Sequence, residues 1–324
     1  MKTPVVLFIF KRKQTLARIM ERIAQAAPER LYIVADQGRD EAEKALAEEC
    51  RNLVESLVTW DCELVKDYAS ENRGVFAQIG LGAERVFEKE DTAIFLEDDN
   101  LPDPTFFPYC EEMLRRYAAD ERVLWVCGTN YLGKYKNDNS FYLSRQLTPC
   151  GWASWADKFT RFYDKDLTLT DTHGWKRVVK SHYLDKRLYR QQMRDILAER
   201  TRRNEGTRYQ SWDFHMNLTI RYHGLYSIVP SVNLIENIGV DEFGTHGTPQ
   251  QGDALSDIMT QRFCEVPTQP LSFPLDLCDS GLLNPEFERK IGEIILYPAK
   301  YRIPMEIKDF IKMFIGVKPG KSIR

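Results

Sequence analysis

The sequence predicts an α/β protein with an open, mostly parallel, doubly wound sheet and helices on both of its faces. Short apolar runs alternate with helical segments of ten or more residues through the first 130 positions, as in right-handed βαβ units. The first run, residues 5–10, is apolar without interruption, which is typical of a strand that is buried on both faces. Three of the runs end in charged residues, and open parallel sheets bind their ligands at that edge.

The predicted elements follow one another in a regular order. The first strand is predicted at residues 5–10, and the helix after it has apolar residues at helical spacing from position 16 to position 23, with Thr15 as its expected cap. Further strands are predicted at residues 31–35, 62–65, 93–96 and 123–127. Further helices are predicted at residues 41–57, at 75–87, from the LPDP segment to about 117, and at 185–208. Glycine, proline and serine between positions 239 and 274 predict loops over a site.

Composition and charge narrow the function classes. The chain has 324 residues, 43% apolar and 29% charged, which argues against a disordered, collagen-like or coiled-coil protein. Its 45 basic and 48 acidic residues give a net charge of −3, so no overall field favours nucleic acid. The seven cysteines include no CxxC pair and are expected to be free thiols in a reducing compartment. Without a secretory signal or an apolar run of roughly 20 residues, we expect a cytoplasmic protein, soluble or attached to a membrane surface.

Charged residues stand at the predicted carboxyl ends of three strands. They are Lys11 and Arg12 after the first, Asp36 and Arg39 after the second, and Glu97, Asp98 and Asp99 after the fourth. A GxGxxG sequence after the first strand and any GxxxxGK[ST] sequence are absent, which argues against dinucleotide oxidoreductases and P-loop NTPases. Three adjacent carboxylates repel one another, and a divalent cation bridged to a phosphate would relieve that repulsion. The alternative is a solvated acidic turn.

Several segments in a fixed order give the chain a likeness to a known family. They are VVLFIFKR, IVADQG, AIFLEDDNLPDPTFF, Gly151-Trp152, Trp212-Asp213 and Thr245-His246-Gly247. Over about residues 4–250 the chain resembles the GT-A glycosyltransferases, in particular the N-acetylglucosaminyltransferase I family and its bacterial relatives. The EDD segment carries most of this likeness, because the residue types on both sides of it match as well.

The resemblance implies a metal-dependent, inverting transferase that moves a sugar from a UDP- or dTDP-sugar to a glycan or lipid-linked acceptor in surface polysaccharide or glycan synthesis. Mn²⁺ or Mg²⁺ would be its cofactor. Residues 1–130 would form the nucleotide-sugar-binding half of a GT-A domain, residues 131–275 its acceptor-side half, and residues 276–324 a C-terminal extension. Two other functions stay open: a nucleotidyltransferase, although FKRKQT lacks the glycine-rich signature of that class, and a GT-A-like module that binds a nucleotide or glycan without turnover.

The resemblance assigns four residues to the metal and its surroundings. Asp99 and His246 would bind the metal, whereas Glu97 and Asp98 would bind metal-bound water or donor hydroxyls. A neutral imidazole at His246 suits Mn²⁺ better than Mg²⁺. The alternative for His246 is a loop residue that orders a turn.

The resemblance assigns Arg12 and Asp36 to the donor, and Arg39, at the same strand end as Asp36, is predicted to bind it as well. Arg12 would face its ribose-phosphate part, where a guanidinium fork suits phosphate oxygens. Asp36 would accept the imide N–H of uracil or thymine, and Arg39 would complete this side of the donor site. The alternatives are a solvated charge for Arg12 and a turn cap for Asp36.

Catalysis and acceptor binding are assigned to the later segments. Asp213, in SWDFHMN, is the predicted general base for the acceptor hydroxyl. The family has a second Asp after this position as its base, whereas this chain has Phe214 there, and a helix cap is the alternative for Asp213. Trp152 and Trp155, in CGWASW, are predicted to form an aromatic floor under an acceptor sugar, with core packing as the alternative.

The C-terminal segment is basic and amphipathic. Residues 298–324 hold seven Lys or Arg against Glu306 and Asp309. Apolar residues at positions 307, 310, 311 and 314 fall on one side of a helix. Such a helix is predicted to lie on an anionic membrane surface. The alternative is that its apolar side packs on the catalytic domain.

Overall fold

The computed structural model describes residues 1–136, 139–239, 254–264, 266–276 and 281–314. Its strands are β1 (Val5–Ile9), β2 (Arg30–Ala35), β3 (Glu63–Tyr68), β4 (Thr92–Glu97), β5 (Asn100–Pro102), β6 (Val123–Cys127), β7 (Phe141–Ser144), β8 (Trp152–Trp155), β9 (Tyr226–Pro230) and β10 (Ile235–Asn237). Its α-helices are α1 (Lys13–Ala26), α2 (Glu41–Ser56), α3 (Leu81–Phe87), α4 (Phe106–Arg116), α5 (Ala156–Phe162), α6 (Trp175–Ser181), α7 (Lys186–Glu205), α8 (Asp213–His223), α9 (Ala254–Phe263), α10 (Pro285–Ile295) and α11 (Ala299–Phe314).

Eight strands form one sheet in the order β3-β2-β1-β4-β8-β6-β9-β7. The first four of these strands are parallel neighbours, as the βαβ pattern predicts. β8 runs antiparallel between β4 and β6, β6 and β9 are parallel, and β7 lies antiparallel at the edge. The α/β prediction is confirmed, and strands from residues 1–130 and 131–275 belong to the same sheet.

A separate two-stranded ribbon pairs β5 with β10 in antiparallel orientation. β5 follows the acidic segment at once, and β10 ends directly before Ile238 and Gly239. The backbone N–H of Ile238 donates to the carbonyl of Asp99 at 2.9 Å. The ribbon therefore brings residues 238–239 alongside the acidic segment.

Several local details differ from the prediction. Thr15 does not cap α1, because the helix already begins at Lys13 and the Thr15 hydroxyl donates instead to the carbonyl of Asp98. The third strand extends to Tyr68, since its parallel pairing with β2 continues over six residues. The helix predicted at 75–87 begins with a π-helical turn at Phe76–Gly80. Part of the loop region predicted between 239 and 274 is the helix α9.

Trp152 and Trp155 on β8 lie in the core, and this corrects their assignment to an acceptor floor. Trp152 is 1% exposed and Trp155 is 4% exposed. The Trp152 ring is stacked on Phe95, with 3.9 Å between the ring centroids, and on Trp125, with 4.0 Å. The indole N–H of Trp155 donates to the carbonyl of Leu114 at 2.9 Å. Core packing, the alternative from the sequence, therefore accounts for both rings.

The sequence also predicts free cysteine thiols and no membrane-spanning segment. The six cysteines in the described ranges are free thiols, and Cys278 lies outside those ranges. Among the described helices, none is both long enough and apolar enough to cross a bilayer.

Replacing Trp152 by Ala should lower the free energy of unfolding by about 3–5 kcal/mol, because it empties a site filled by stacked rings. Urea denaturation would measure this change. Trp60→Ala is the control, since Trp60 is only partly buried and its loss should cost less. A Trp152 variant with unchanged stability but weaker acceptor binding would restore the sugar-floor assignment.

Candidate functional site

A cavity of about 360 Å³ lies at the carboxyl ends of β1, β2 and β4. Its remaining wall comes from residues 72–79, which include most of the π-helical turn. The predicted site residues that line it are Arg12, Asp36, Arg39, Glu97, Asp98 and Asp99. The structure therefore brings together the charged ends of three parallel strands, as the sequence predicts.

Arg12 is the cation next to the acidic turn, by which we mean residues 97–99. Its Nη1 donates to Asp98 Oδ1 at 2.7 Å and to Asp99 Oδ2 at 3.1 Å. Its side chain is 9% exposed, so it is not the solvated charge of the alternative. The backbone N–H of Phe10 donates to the other oxygen of Asp98 at 3.0 Å. The end of β1 thus holds the acids that follow its parallel neighbour β4.

Two acids of the turn have raised pKa values. Burial raises the pKa of Glu97 well above its ordinary value, and the charges of Asp99 and Asp98 add to this effect. Burial also raises the pKa of Asp98 to about 6, although the Arg12 guanidinium opposes the rise. The acidic turn therefore keeps a repulsion that its own arginine does not remove, and an added cation would reduce it.

Asn100 fixes the direction of Asp99 and was given no role from the sequence. Asn100 is fully buried, and its Nδ2 donates to Asp99 Oδ1 at 2.6 Å. Its Oδ1 accepts from the N–H of Gly151 at 2.8 Å and from the N–H of Glu97 at 3.3 Å. One amide therefore ties the end of β4 and the approach to β8 to the carboxylate of Asp99. Its position directly after the acidic triplet was the available signal.

Gly239 lies against Asp99 from another side. A Cβ at this position would come within 2.6 Å of Asp99 Oδ2 and 2.7 Å of Asp99 Cβ, so the close approach requires glycine. The N–H of Gly239 donates to Asn237 Oδ1 at 3.0 Å. Asp99 is confined by these neighbours, and its side chain is 17% exposed.

Asp36 organises the wall of the cavity opposite the acidic turn. Its Oδ1 accepts from the N–H groups of Gln37 and Arg73, both at 2.8 Å. Its Oδ2 accepts from the N–H of Gly74 at 3.1 Å and from the amide of Asn72 at 3.2 Å. A base imide would therefore have to replace one of these bonds or share an oxygen with it.

Arg39 lies at the rim of the cavity, with 65% of its side chain exposed. Its Nε donates to Glu43 at 2.8 Å, and Glu43 also accepts from Lys11 Nζ at 2.7 Å.

Residues 72–79 were not identified from the sequence. Their only local signal is Gly74, whose φ of +78° favours glycine.

Asp213 is the first residue of α8 and is not among the residues that line the cavity, although its charge acts on Glu97. Its charge contributes, after burial, to the raised pKa of Glu97 and to that of Tyr131. Its carboxylate accepts a hydrogen bond from the hydroxyl of Ser211. No side chain caps the start of α8, where Trp212 holds the N-cap position. The contacts of Asp213 therefore do not match the helix-cap alternative.

A second acid near Asp213 was not identified from the sequence, because its helix is mainly basic. Burial raises the pKa of Asp195 on α7 to about 7, and the charges of Asp213 and Glu199 add to the rise. Glu199 is fully buried and accepts from the N–H of Gln210 at 3.1 Å. One side of α7 therefore presents acids toward the start of α8.

The acidic turn fits a hard divalent cation, since such ions prefer carboxylate oxygens. Within the described ranges, no three His, Cys, Asp or Glu side chains are arranged to hold a metal by themselves. Phosphate and water oxygens would have to complete the coordination. His246, the predicted nitrogen ligand, lies outside the described residues.

No protein-family model matches the sequence, and no curated protein matches it significantly. Similar solved structures include residues 1–349 of TarS from S. aureus, at 12% identity over 72% of this chain and 59% of that one, with a TM-score of 0.36. Another is the mannosyltransferase PcManGT from Pyrobaculum calidifontis in complex with GDP-Man and Mn²⁺, at 12% identity, 68% and 69% coverage and a TM-score of 0.38. A third is an apo UDP-glucose pyrophosphorylase, at 10% identity, 74% and 94% coverage and a TM-score of 0.38. Such low values identify neither a family nor a reaction.

Replacing Asn100 by Ala removes the donor to Asp99 and leaves the N–H of Gly151 without its acceptor. We expect the free energy of unfolding to fall by about 1–3 kcal/mol. If UDP binds here with Mn²⁺, as the resemblance implies, its affinity should fall at least about tenfold, because ligand groups that lose their supporting hydrogen bonds bind metal more weakly. Titration calorimetry on the folded variant would measure this affinity.

Asn130→Ala is the matched control for the Asn100 variant. Asn130 is also fully buried, and its amide donates to the carbonyls of Pro230 and Ser231 at 2.9 and 3.2 Å. It does not line the cavity. Equal UDP affinity in the two variants would mean that Asn100 acts on stability alone.

Proposed function

We propose that the chain is a metal-dependent GT-A glycosyltransferase that moves a sugar from a UDP- or dTDP-sugar to a glycan or lipid-linked acceptor, with inversion at the anomeric carbon. The observation that carries the proposal is the acidic turn after β4, which shares one cavity with Arg12 at the carboxyl ends of parallel strands. The motif likeness to the N-acetylglucosaminyltransferase I family supports inversion and a role in surface polysaccharide or glycan synthesis. A lipid-linked acceptor would place the enzyme in the cytoplasm at the inner face of the membrane.

The connection between β1 and α1 favours sugar transfer over nucleotidyl transfer. β1 ends at Ile9 and α1 begins at Lys13, so only residues 10–12 connect them, and none of the three is glycine. A nucleotidyltransferase would normally place a glycine-rich basic loop here to surround the phosphates of its substrate. This short connection offers the side chain of Arg12 instead.

The donor would bind in the cavity with its diphosphate toward the acidic turn and its base toward Asp36. Asp99 would hold the divalent cation, with Glu97 and Asp98 beside it, and the bound cation would stabilise the negative charge of the leaving nucleoside diphosphate. Arg12 stays charged at any working pH and is already desolvated, so its guanidinium would stabilise the same developing charge.

The acceptor would approach from the side of α8. Its hydroxyl proton would pass to the carboxylate of Asp213 while the oxygen forms a bond to the anomeric carbon of the sugar. The bond between that carbon and the diphosphate oxygen breaks on the opposite face, and the nucleoside diphosphate leaves with the bonding electrons. Attack opposite to the leaving group inverts the anomeric centre.

Asp99→Asn should abolish metal-dependent donor binding, because an amide is a poor substitute for the carboxylate ligand. A thermal-shift screen of UDP- and dTDP-sugars with and without Mn²⁺ would measure it: a donor at a hundred times its Kd adds about 2.7 kcal/mol to the stability of the wild type. Asp91→Asn, at the opposite, exposed end of β4, should behave like the wild type. A donor shift in Mn²⁺ that survives Asp99→Asn would refute the metal assignment.

Asp213→Asn should lower kcat by about 10²–10⁴ and leave the donor Kd unchanged, since it removes proton transfer and not the donor site. Release of the nucleoside diphosphate in the presence of acceptor would measure the rate. Asp195→Asn is the matched control, because it removes the neighbouring acid on α7. Loss of rate in the Asp195 variant alone would transfer the role of base to Asp195. Wild-type protein that binds donor but neither transfers nor hydrolyses it would be a binding module.

A further inference from the structure

Helix α11 lies against α7 through its polar side. Arg190 Nη1 of α7 contacts Glu306 Oε2 at 3.1 Å, and Arg194 Nε contacts Asp309 Oδ2 at 2.9 Å. Arg302, within α11, contacts Glu306 Oε1 at 2.8 Å. Both acidic residues of the C-terminal segment are therefore engaged in ion pairs, and both ion pairs to α7 fix the same side of α11 toward the protein.

Another side of α11 is apolar and exposed. Ile303, Ile307 and Ile311 are spaced by four residues and are 47%, 54% and 48% exposed. Phe310 extends the same surface and is 58% exposed. In the part of the chain that the structure describes, the apolar side of the helix thus points away from the catalytic domain. The packing alternative that the sequence left open does not hold for the exposed side chains of Ile303, Ile307 and Ile311.

Positive charge accompanies this apolar surface. Lys300 and Lys308 of α11 are exposed, whereas Glu306 and Asp309 are turned toward arginines of the protein. Beyond the described helix, residues 315–324 contain Lys318, Lys321 and Arg324 and no acid. The outward surface of α11 therefore combines apolar side chains with basic ones.

We propose that this surface, formed by Ile303, Ile307 and Ile311 with Lys300 and Lys308, binds an anionic phospholipid bilayer. A bilayer buries apolar side chains below its headgroups while the headgroups neutralise the lysines, which matches both properties of the surface. A second copy of the chain would bring the same lysines together, and like charges oppose that contact. Over its described residues α11 is not long and apolar enough to cross a bilayer, and on the surface it would lie in the plane of the headgroups.

Helix α7 connects the proposed membrane surface to the segment before α8. α7 holds α11 through Arg190 and Arg194, and it holds the segment before α8 through Glu199. A membrane bound by α11 would therefore be connected to Asp213, at the start of α8, through α11 and α7. The inference rests on the surface alone and does not depend on the proposed reaction.

Flotation of the full chain with vesicles tests the proposal. The wild type should float with vesicles of phosphatidylcholine and phosphatidylglycerol, and much less with phosphatidylcholine alone or at high salt. The double variant Ile307→Glu, Ile311→Glu should bind at least about tenfold more weakly, because its charges oppose insertion. Leu184→Glu is the matched control, since Leu184 is 45% exposed and is not part of the proposed surface, and it should float like the wild type.

Each other outcome would overturn the proposal. If the wild type does not float, or if the double variant floats as well as the wild type, this surface is not the membrane contact. A dimeric wild type whose double variant is monomeric in sedimentation would assign the surface to a second copy of the chain. The melting temperature of each variant must equal that of the wild type, because only then does weaker flotation report weaker membrane binding and not unfolding.

Discussion

The repulsion among three carboxylates at the end of one buried strand is the constraint on which the rest of the site depends. β4 is covered on both sides, so Glu97, Asp98 and Asp99 leave it in a place where water screens their charges poorly. Hydrogen-bond donors around the three acids partly compensate that negative charge. Arg12 and the N–H of Phe10 come from β1, and the amide of Asn100 comes from the turn itself.

The topology of the sheet explains how these donors reach the acids. A parallel pairing of β1 with β4 puts their carboxyl ends side by side, which places Arg12 next to Asp98 without any long loop. The antiparallel β8 then begins at this same edge, so the N–H of Gly151 reaches Asn100. The β5–β10 ribbon returns the chain to Asp99 once more at Gly239. Three separate parts of the sequence therefore converge on the acidic turn and on Asn100, which follows it.

The sequence predicts those features that have a local pattern. Continuous apolar runs locate β1, β2, β4 and β6, and the charges that follow the first, second and fourth predicted strands locate the cavity. Features that depend on partners distant in sequence were missed. Trp152 resembles a sugar platform in its small-residue context, and only the sheet order, which puts β8 between β4 and β6, shows that its faces are covered by Phe95 and Trp125. Asp195 was missed as well, because its neighbours in sequence are mainly basic and the charge of Asp213 acts on it only in the folded protein.

The balance of charge in the cavity bears on what it can bind. The basic residues that line it are Lys11, Arg12 and Arg39, and the acidic ones are Asp36, Glu97, Asp98 and Asp99. Glu43 already pairs with both Lys11 and Arg39 at the rim, so the interior is left with an excess of negative charge. A nucleoside diphosphate entering alone would meet net repulsion, because one guanidinium shared between two carboxylates offers it little attraction. A divalent cation adds two positive charges and reduces this repulsion, so a diphosphate donor would have to bind here together with its metal ion.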